Sequence, residues 1–268
     1  MSRVCAYCGS SGSMTREHQW PAGIIERSGV NRSYFGKHEK YIDAELTIKD
    51  VCASCNNGQL SALDAYVCSL FDAQFSRQAV RRQTRNFLYD YSLLLRWLLK
   101  ISFNVARAND SDGSTLSQFV GYILEGGSAP ENVQVRLELI YPSVNPNWTP
   151  GSDFMKEIPA TTIRCARILM PGNPLPEATH RLVALHSYYF WIAITPPGND
   201  ASEFYARLPG KLLPPNRNLL SVVPTRSMLD VHESWLSNPR ANASMRALQK
   251  RENNAQPIIP RGKQPACR

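Results

Sequence analysis

Two Cys-x-x-Cys pairs constrain this chain more than any other feature of its sequence. The first pair is Cys5 and Cys8 in CAYCG, and the second is Cys52 and Cys55 in VCASCNNG. Two intervening residues let both thiolates of a tight turn reach one tetrahedral ion at about 2.3 Å. Four soft thiolate ligands favour zinc, and such sites are usually closed and structural. We therefore expect a structural Zn²⁺ that folds the N-terminal part of the chain.

The total of seven cysteines also favours a metal over disulfides, because it is odd and four of the seven fall in the two pairs. A reducing cytosol keeps thiols available as ligands. The alternative is that the pairs are ordinary core thiols. We expect the unpaired Cys68 and Cys165, which lie in apolar surroundings, to be core thiols.

A second motif lies between and directly after the cysteine pairs. The dipeptide Glu17-His18 stands in TREHQWP between the pairs, and Asn56-Asn57 follows the second pair in VCASCNNG. Together with the cysteines, this text resembles the HNH endonuclease family over about residues 1–64. The resemblance implies a treble-clef (ββα-metal) unit, in which the first strand presents the histidine and the helix presents the last metal ligand.

The resemblance also implies a role for each of these residues. His18 matches the general base, Glu17 the acidic metal ligand and Asn56 the metal ligand on the helix, with Asn57 as a supporting neighbour. Oxygen ligands favour Mg²⁺ or Mn²⁺ as the catalytic ion. An imidazole is partly neutral near pH 7, so it can take a proton from water. The implied function is metal-dependent hydrolysis of phosphodiester bonds in nucleic acid, with DNA as the expected substrate.

The chain departs from the family pattern around the general base. Many members have Asp at the position of Glu17 and His at the position of Asn56; both changes preserve an oxygen-binding site. The asparagine that orients the base in the family has no match, and Thr47 and Asp50 occupy that region. Asn57 with the following glycine also fits ordinary turn chemistry.

Positive charge is concentrated at the two ends of the chain. The net charge of +8 divides into +3 for residues 1–85, −1 for residues 86–239 and +6 for residues 240–268. Basic residues near a phosphate backbone release its counterions, so a nucleic acid is a plausible partner. Four arginines are predicted to lie on one side of a helix continuing from the first unit, as a phosphate-binding stripe or a solvated face: Arg77, Arg81, Arg82 and Arg85.

The periodicity predicts an α+β protein. Residues 1–85 form the HNH-like domain, residues 86–237 an α+β domain with a mostly antiparallel sheet, and residues 238–268 a flexible basic tail. Apolar spacing predicts a strand and four helices, over residues 41–51 and over residues 22–27, 52–70, 86–108 and 115–124. β-Branched and aromatic runs predict further strands over residues 133–141, 161–169, 181–194 and 203–208.

Other classes of function are less compatible with this sequence. The chain opens without a signal-peptide pattern, and the apolar stretch 93–105 is interrupted by Arg96 and Lys100, so we expect a cytoplasmic protein without a membrane span. One alternative is a zinc-dependent adaptor that binds nucleic acid or protein without catalysis. Another is a nuclease toxin or defence effector.

Overall fold

The computed structural model describes most of the first 199 residues and two short strands beyond them. The described segments are residues 3–29, 33–35, 40–42, 45–80, 85–109, 112–139, 142–144, 149–151, 157–158, 163–168, 177–199, 220–222 and 228–231. Helices and antiparallel strands are mixed along the chain, which confirms the α+β prediction. None of the helices in these segments combines the length and apolar character needed to cross a membrane.

The N-terminal unit is built on one antiparallel strand pair. Strand β1 (Met14–His18) pairs with β4 (Thr47–Cys52), so that His18 lies opposite Thr47. The predicted strand over 41–51 is therefore divided, since β3 (Lys40–Ile42) pairs with β2 (Ser33–Phe35) instead. Alternating apolar residues do not reveal that the partner strand changes. Helix α1 (Ala22–Ser28) lies between β1 and β2 and confirms the helix predicted there.

The helix predicted after the second cysteine pair is confirmed, with a kink. Helix α2 (Ala53–Cys55) leads through a wide turn over Asn56–Leu60 into α3 (Ser61–Leu70), and another wide turn, Phe71–Phe75, ends the helical stretch. The kink falls at Gly58, whose backbone is not helical.

Helix α4 (Tyr91–Asn109) lies at the centre of the molecule. The helix predicted over 86–108 starts late because the Asp90 side chain accepts a hydrogen bond from the Leu93 amide at 2.9 Å and caps the first turn. The predicted apolar face is buried as expected, and its members are Leu94, Trp97, Leu98, Ile101 and Val105. The helix predicted over 115–124 is split at Phe119 into α5 (Gly113–Ser117) and α6 (Val120–Glu125).

The predicted arginine stripe is wrong, because neither Arg77 nor Arg85 lies on a helix. The helical stretch ends at Phe75, and Arg77 lies in the bend that follows. Arg85 is the first residue of strand β5 (Arg85–Leu88), which pairs with β13 (Met228–Val231). Arg81 and Arg82 lie outside the described residues. Helical spacing in the sequence could not show that the chain changes from helix to strand here.

A five-stranded antiparallel sheet forms the second part of the molecule. Its order is β12-β6-β11-β10-β9. The bounds are β6 (Val133–Leu139), β9 (Ile163–Arg167), β10 (Thr179–Leu185), β11 (Tyr188–Ile194) and β12 (Leu220–Val222). The short strands β7 (Ser143–Val144) and β8 (Glu157–Ile158) pair separately. The strands predicted over 133–141 and 161–169 are confirmed in shortened form, whereas 203–208 lies outside the described residues.

The single strand predicted over 181–194 is wrong, since this segment belongs to a hairpin. Strands β10 and β11 are joined by a turn at His186 and Ser187, where His186 has a positive φ of 52°. Tight hairpin turns usually contain Gly, Asn or Asp, so the sequence carries no turn signal. The Ser187 hydroxyl accepts a hydrogen bond from the Ala79 amide at 2.7 Å, which ties this hairpin to the N-terminal unit.

One contiguous apolar core joins the cysteine region, α4 and the sheet. It includes Cys5, Val51 and Leu63 from the first predicted domain and extends to Phe190 and Ile194 in β11. Burial of large apolar side chains in one cluster is the main stabilising contribution to such a fold. The domain boundary near residue 85 stays a prediction, and the packing across it is continuous.

Candidate functional site

The four paired cysteines converge at one end of the β1–β4 pair. Their sulfur atoms all lie within 4.8 Å of one another, and the cysteines are free thiols. The Sγ atoms of Cys8 and Cys52 are 3.6 Å apart. Tetrahedral Zn–S bonds of about 2.3 Å place sulfurs about 3.8 Å apart, so the donor set and its spacing fit a metal ion such as zinc. Among the described residues, this is the one such convergence of His, Cys, Asp or Glu side chains.

Local structure explains how the first pair is presented. Gly9 adopts a φ of 72° and donates from its amide to the Cys5 carbonyl at 3.0 Å, which closes the knuckle. Hydrogen bonds from Ser10 lower the pKa of the Cys8 thiol to about 6. A thiol that loses its proton readily is a good metal ligand. The Cys52 amide donates to Cys5 Sγ at 3.3 Å, so the second pair begins against the first.

His18 stands at the exposed end of β1. Its side chain is 37% exposed, and its Nδ1 lies 2.8 Å from Oε2 of Glu45, which is 44% exposed. The ring N–H does not point at the carboxylate, so Nδ1 has no hydrogen-bond partner among the described residues. A carboxylate this close to Nδ1 still favours a proton on that nitrogen by charge, which leaves Nε2 to accept a proton. Glu45 is a residue that the sequence did not reveal, because 27 positions separate it from His18 in the sequence and no motif includes it.

Glu17 points in the opposite direction, into the interior. Only 4% of it is exposed, and its Oε1 lies 2.9 Å from Nζ of Lys100 and accepts a hydrogen bond from Asn104 at 3.0 Å. Lys100 also pairs with Asp64 at 2.6 Å. Burial raises the pKa of Asp64, and the charge of Lys100 opposes that effect. An ammonium group therefore lies beside the carboxylate that was predicted to bind a divalent ion.

Asn56 lies against β1 at the start of the kinked turn. Its Nδ2 donates to Thr15 Oγ1 at 2.9 Å and to the Arg16 carbonyl at 3.0 Å, which leaves Oδ1 as the available ligand atom. Asn57 is exposed. Asn56 thus contacts β1, the strand that ends at His18, whereas Glu17 is directed towards Lys100. The roles of Glu17, Asn56 and Asn57 as site residues stay predictions.

A buried polar network lies directly beneath the site. Asn104 on α4 contacts both predicted site residues of β1, and Arg107, one turn further along, pairs with Asp50 on β4. This network could not be predicted from the sequence, because its members on α4 occur inside an otherwise apolar helix pattern. Asp50 lies in the region where HNH endonucleases carry the asparagine that orients the base. It pairs with Arg107, and among the described residues no hydrogen bond or ion pair joins it to His18.

Comparisons were made with models of known protein families, with curated proteins and with solved structures, and none of them matches this chain.

Proposed function

We propose that this protein is a metal-dependent endonuclease that hydrolyses phosphodiester bonds of nucleic acid, with DNA as the expected substrate. The observation that carries the proposal is the pairing of His18 with Glu45 at the exposed end of β1. A histidine whose Nδ1 lies beside a carboxylate can use Nε2 as a general base towards water. General-base activation is what hydrolysis of a phosphodiester requires of a protein side chain.

The metal-binding part of the proposal has two components. The four cysteines hold a structural Zn²⁺, which leaves no open coordination position for substrate. A catalytic Mg²⁺ or Mn²⁺ would take Oδ1 of Asn56 and the carboxylate of Glu17, and when bound it would stabilise the negative charge of the departing oxygen. Glu17 is neutralised by Lys100, so binding of this second ion requires Glu17 to leave that contact.

Exposed basic residues around the strand pair support an anionic substrate. Arg3, Arg16 and Lys49 are exposed on or beside β1 and β4, and Arg16 is two residues from His18. Such side chains can contact phosphates without reading sequence. Arg77 is also exposed, although it does not belong to a helical stripe.

The decisive experiment compares cleavage by the purified chain and by His18→Ala. Plasmid DNA, single-stranded DNA and RNA are each incubated with Mg²⁺, Mn²⁺ or EDTA, and the zinc content and the melting temperature of both proteins are measured. We expect cleavage by the wild type with Mg²⁺ or Mn²⁺, and loss of at least about 10²-fold in His18→Ala. Undiminished cleavage by a fully folded His18→Ala would show that the assigned base is wrong.

The same assay tests the adaptor alternative, which the contact between Glu17 and Lys100 favours because the predicted carboxylate ligand is already paired with a cation. An adaptor would bind nucleic acid with salt-dependent affinity and would not cleave it under any metal condition. Binding that is unchanged in His18→Ala, together with absence of cleavage, would support the adaptor and contradict the nuclease proposal.

A further inference from the structure

Asn104 on α4 uses its whole amide group in hydrogen bonds beneath the candidate site. The residue is completely buried. Its Nδ2 donates to Glu17 Oε1 at 3.0 Å and to the main-chain carbonyl of His18 at 3.2 Å. Its Oδ1 accepts from the Tyr7 hydroxyl at 2.7 Å and from Arg107 at 2.6 Å. An asparagine has two donor hydrogens and two acceptor lone pairs, and here all four have partners.

These four bonds fix the orientation of the amide. Tyr7 belongs to the cysteine knuckle, and Arg107 pairs with Asp50 on β4 while its guanidinium lies 4.6 Å above the Phe103 ring. Because both acceptor positions of Asn104 are taken by these groups, the two N–H bonds can only point towards β1. The amide therefore joins α4, the knuckle and the strand that carries His18.

The bond to the His18 carbonyl lies at the C-terminal end of β1. His18 is the last residue of the strand, and the next main-chain hydrogen bond runs from the Gln19 amide to the Leu46 carbonyl at 2.8 Å. Glu45 contacts the ring of His18 and does not fix its backbone. The bond to the carbonyl fixes the backbone to which the His18 imidazole is attached. A misplacement of about 1 Å in a reacting group can reduce a rate by about 10²-fold.

We propose that Asn104 is a positioning residue for His18, so that a side chain of the central helix sets the geometry of the general base. The inference rests on the proposed function for its effect on rate. It does not depend on the divalent ion, since Asn104 contacts the main chain of His18 itself. A buried asparagine with a purely structural role would affect stability and leave the geometry of His18 unchanged.

The test uses Asn104→Asp in the full chain. The aspartate keeps the size of the side chain and the acceptors for Tyr7 and Arg107, and it removes both donors to β1. Val105→Ala is the matched control, because Val105 is a buried neighbour on α4 whose side chain belongs to the apolar packing. We expect kcat to fall by about 10²-fold in Asn104→Asp with KM within about twofold of wild type, and Val105→Ala to keep kcat within about twofold.

A spectroscopic measurement tests the placement of the His18 ring even if the wild-type protein cleaves no substrate. The ¹⁵N chemical shifts of the His18 ring report its tautomer, and we expect the wild type and Val105→Ala to hold the proton on Nδ1. Asn104→Asp should give a mixture of tautomers, because the ring no longer stays next to Glu45. If Asn104→Asp does not fold with its zinc, Asn104→Ser, which adds no charge, takes its place. An unchanged tautomer in the folded variant would overturn the inference, whatever the rate of cleavage.

Discussion

The two sides of strand β1 carry neighbouring residues in opposite environments. On the outer side, His18 pairs with Glu45, and both side chains are more than one third exposed. On the inner side, Glu17 pairs with Lys100, and both are at least 95% buried. Exposed ion pairs contribute about 0–1 kcal/mol to stability, whereas removing one partner of a buried pair costs about 3–5 kcal/mol. The outer pair therefore contributes little to stability, and the inner pair holds the strand.

Removal of the zinc should have the largest effect on stability, because it affects the outer and the inner side of β1 together. The cysteines fix the end of β4 and the start of α2, and β4 is the partner strand of β1. Structural zinc ions contribute on the order of 10 kcal/mol of binding free energy to the folded state. We expect Cys52→Ser to lose the bound ion and to lower the melting temperature by about 10 °C or more, with any nuclease activity lost as well.

Metal analysis and calorimetry of Cys52→Ser check this expectation, with Cys68→Ser as the matched control. Cys68 is a free thiol outside the group of four, so its replacement should leave one zinc per chain. A Cys52→Ser protein that keeps a full complement of zinc and the melting temperature of wild type would contradict the assignment of the centre.

The next largest effect is expected for Lys100→Met on the inner side. Lys100 is the cation between Glu17 and Asp64, and its loss leaves two carboxylates without a counter-charge in the core. We expect the free energy of unfolding to fall by about 3–5 kcal/mol near pH 7 in urea titrations. The loss should shrink as the pH decreases, because burial raises the pKa of Asp64 and its protonation relieves the repulsion.

Lys49→Met provides the comparison on the surface. Lys49 is exposed on β4, and its replacement should change the free energy of unfolding by no more than about 0.5 kcal/mol. Equal effects of the two substitutions would mean that the inner pair does not hold the strand, and the contrast between the two sides of β1 would disappear.

The parts of the fold that depend on local sequence could be predicted, and the reason is physical. Ligand spacing in the cysteine pairs is set by local chain geometry, so it can be read from a few consecutive residues. The helix after the second pair and the apolar face of α4 follow from periodicity and were confirmed. Fold class was predictable for the same reason.

The inner network could not be read in this way. Glu17 and Asn104 are 87 residues apart in the chain, and nothing local to either residue signals the other. Lys100 was noted only as a charge that interrupts an apolar run, because a lysine inside a helix pattern gives no sign of a buried carboxylate partner. The hairpin turn at His186 was missed because its residues are unusual for that turn.

A buried histidine extends the comparison of inner and outer groups to the pH dependence of stability. Burial, with a contribution from Arg167, lowers the pKa of His180 from 6.5 to about 4. Between these two values the unfolded chain binds a proton that the folded chain does not, so stability falls as the pH decreases from about 6.5 to 4. The loss attributable to His180 should be at most about 3 kcal/mol.

Urea titrations at several pH values measure this loss, and His180→Gln should flatten the decrease over that range. An equally steep decrease in wild type and His180→Gln would assign the acid sensitivity to other groups.

The smallest effect on stability, and the sharpest separation of stability from function, is expected for Glu45→Gln on the outer side. Both partners of this pair are partly exposed, so its loss should change the free energy of unfolding by less than about 1 kcal/mol. The glutamine cannot hold the proton on Nδ1 of His18 by charge, so kcat for cleavage should fall by about 10-fold to 10²-fold with little change in KM. Urea titration and cleavage kinetics on the same preparation measure both quantities. A purely structural role predicts a large loss of stability and an unchanged kcat. A Glu45→Gln protein that behaves in this way would show that Glu45, like the inner residues, holds the strand.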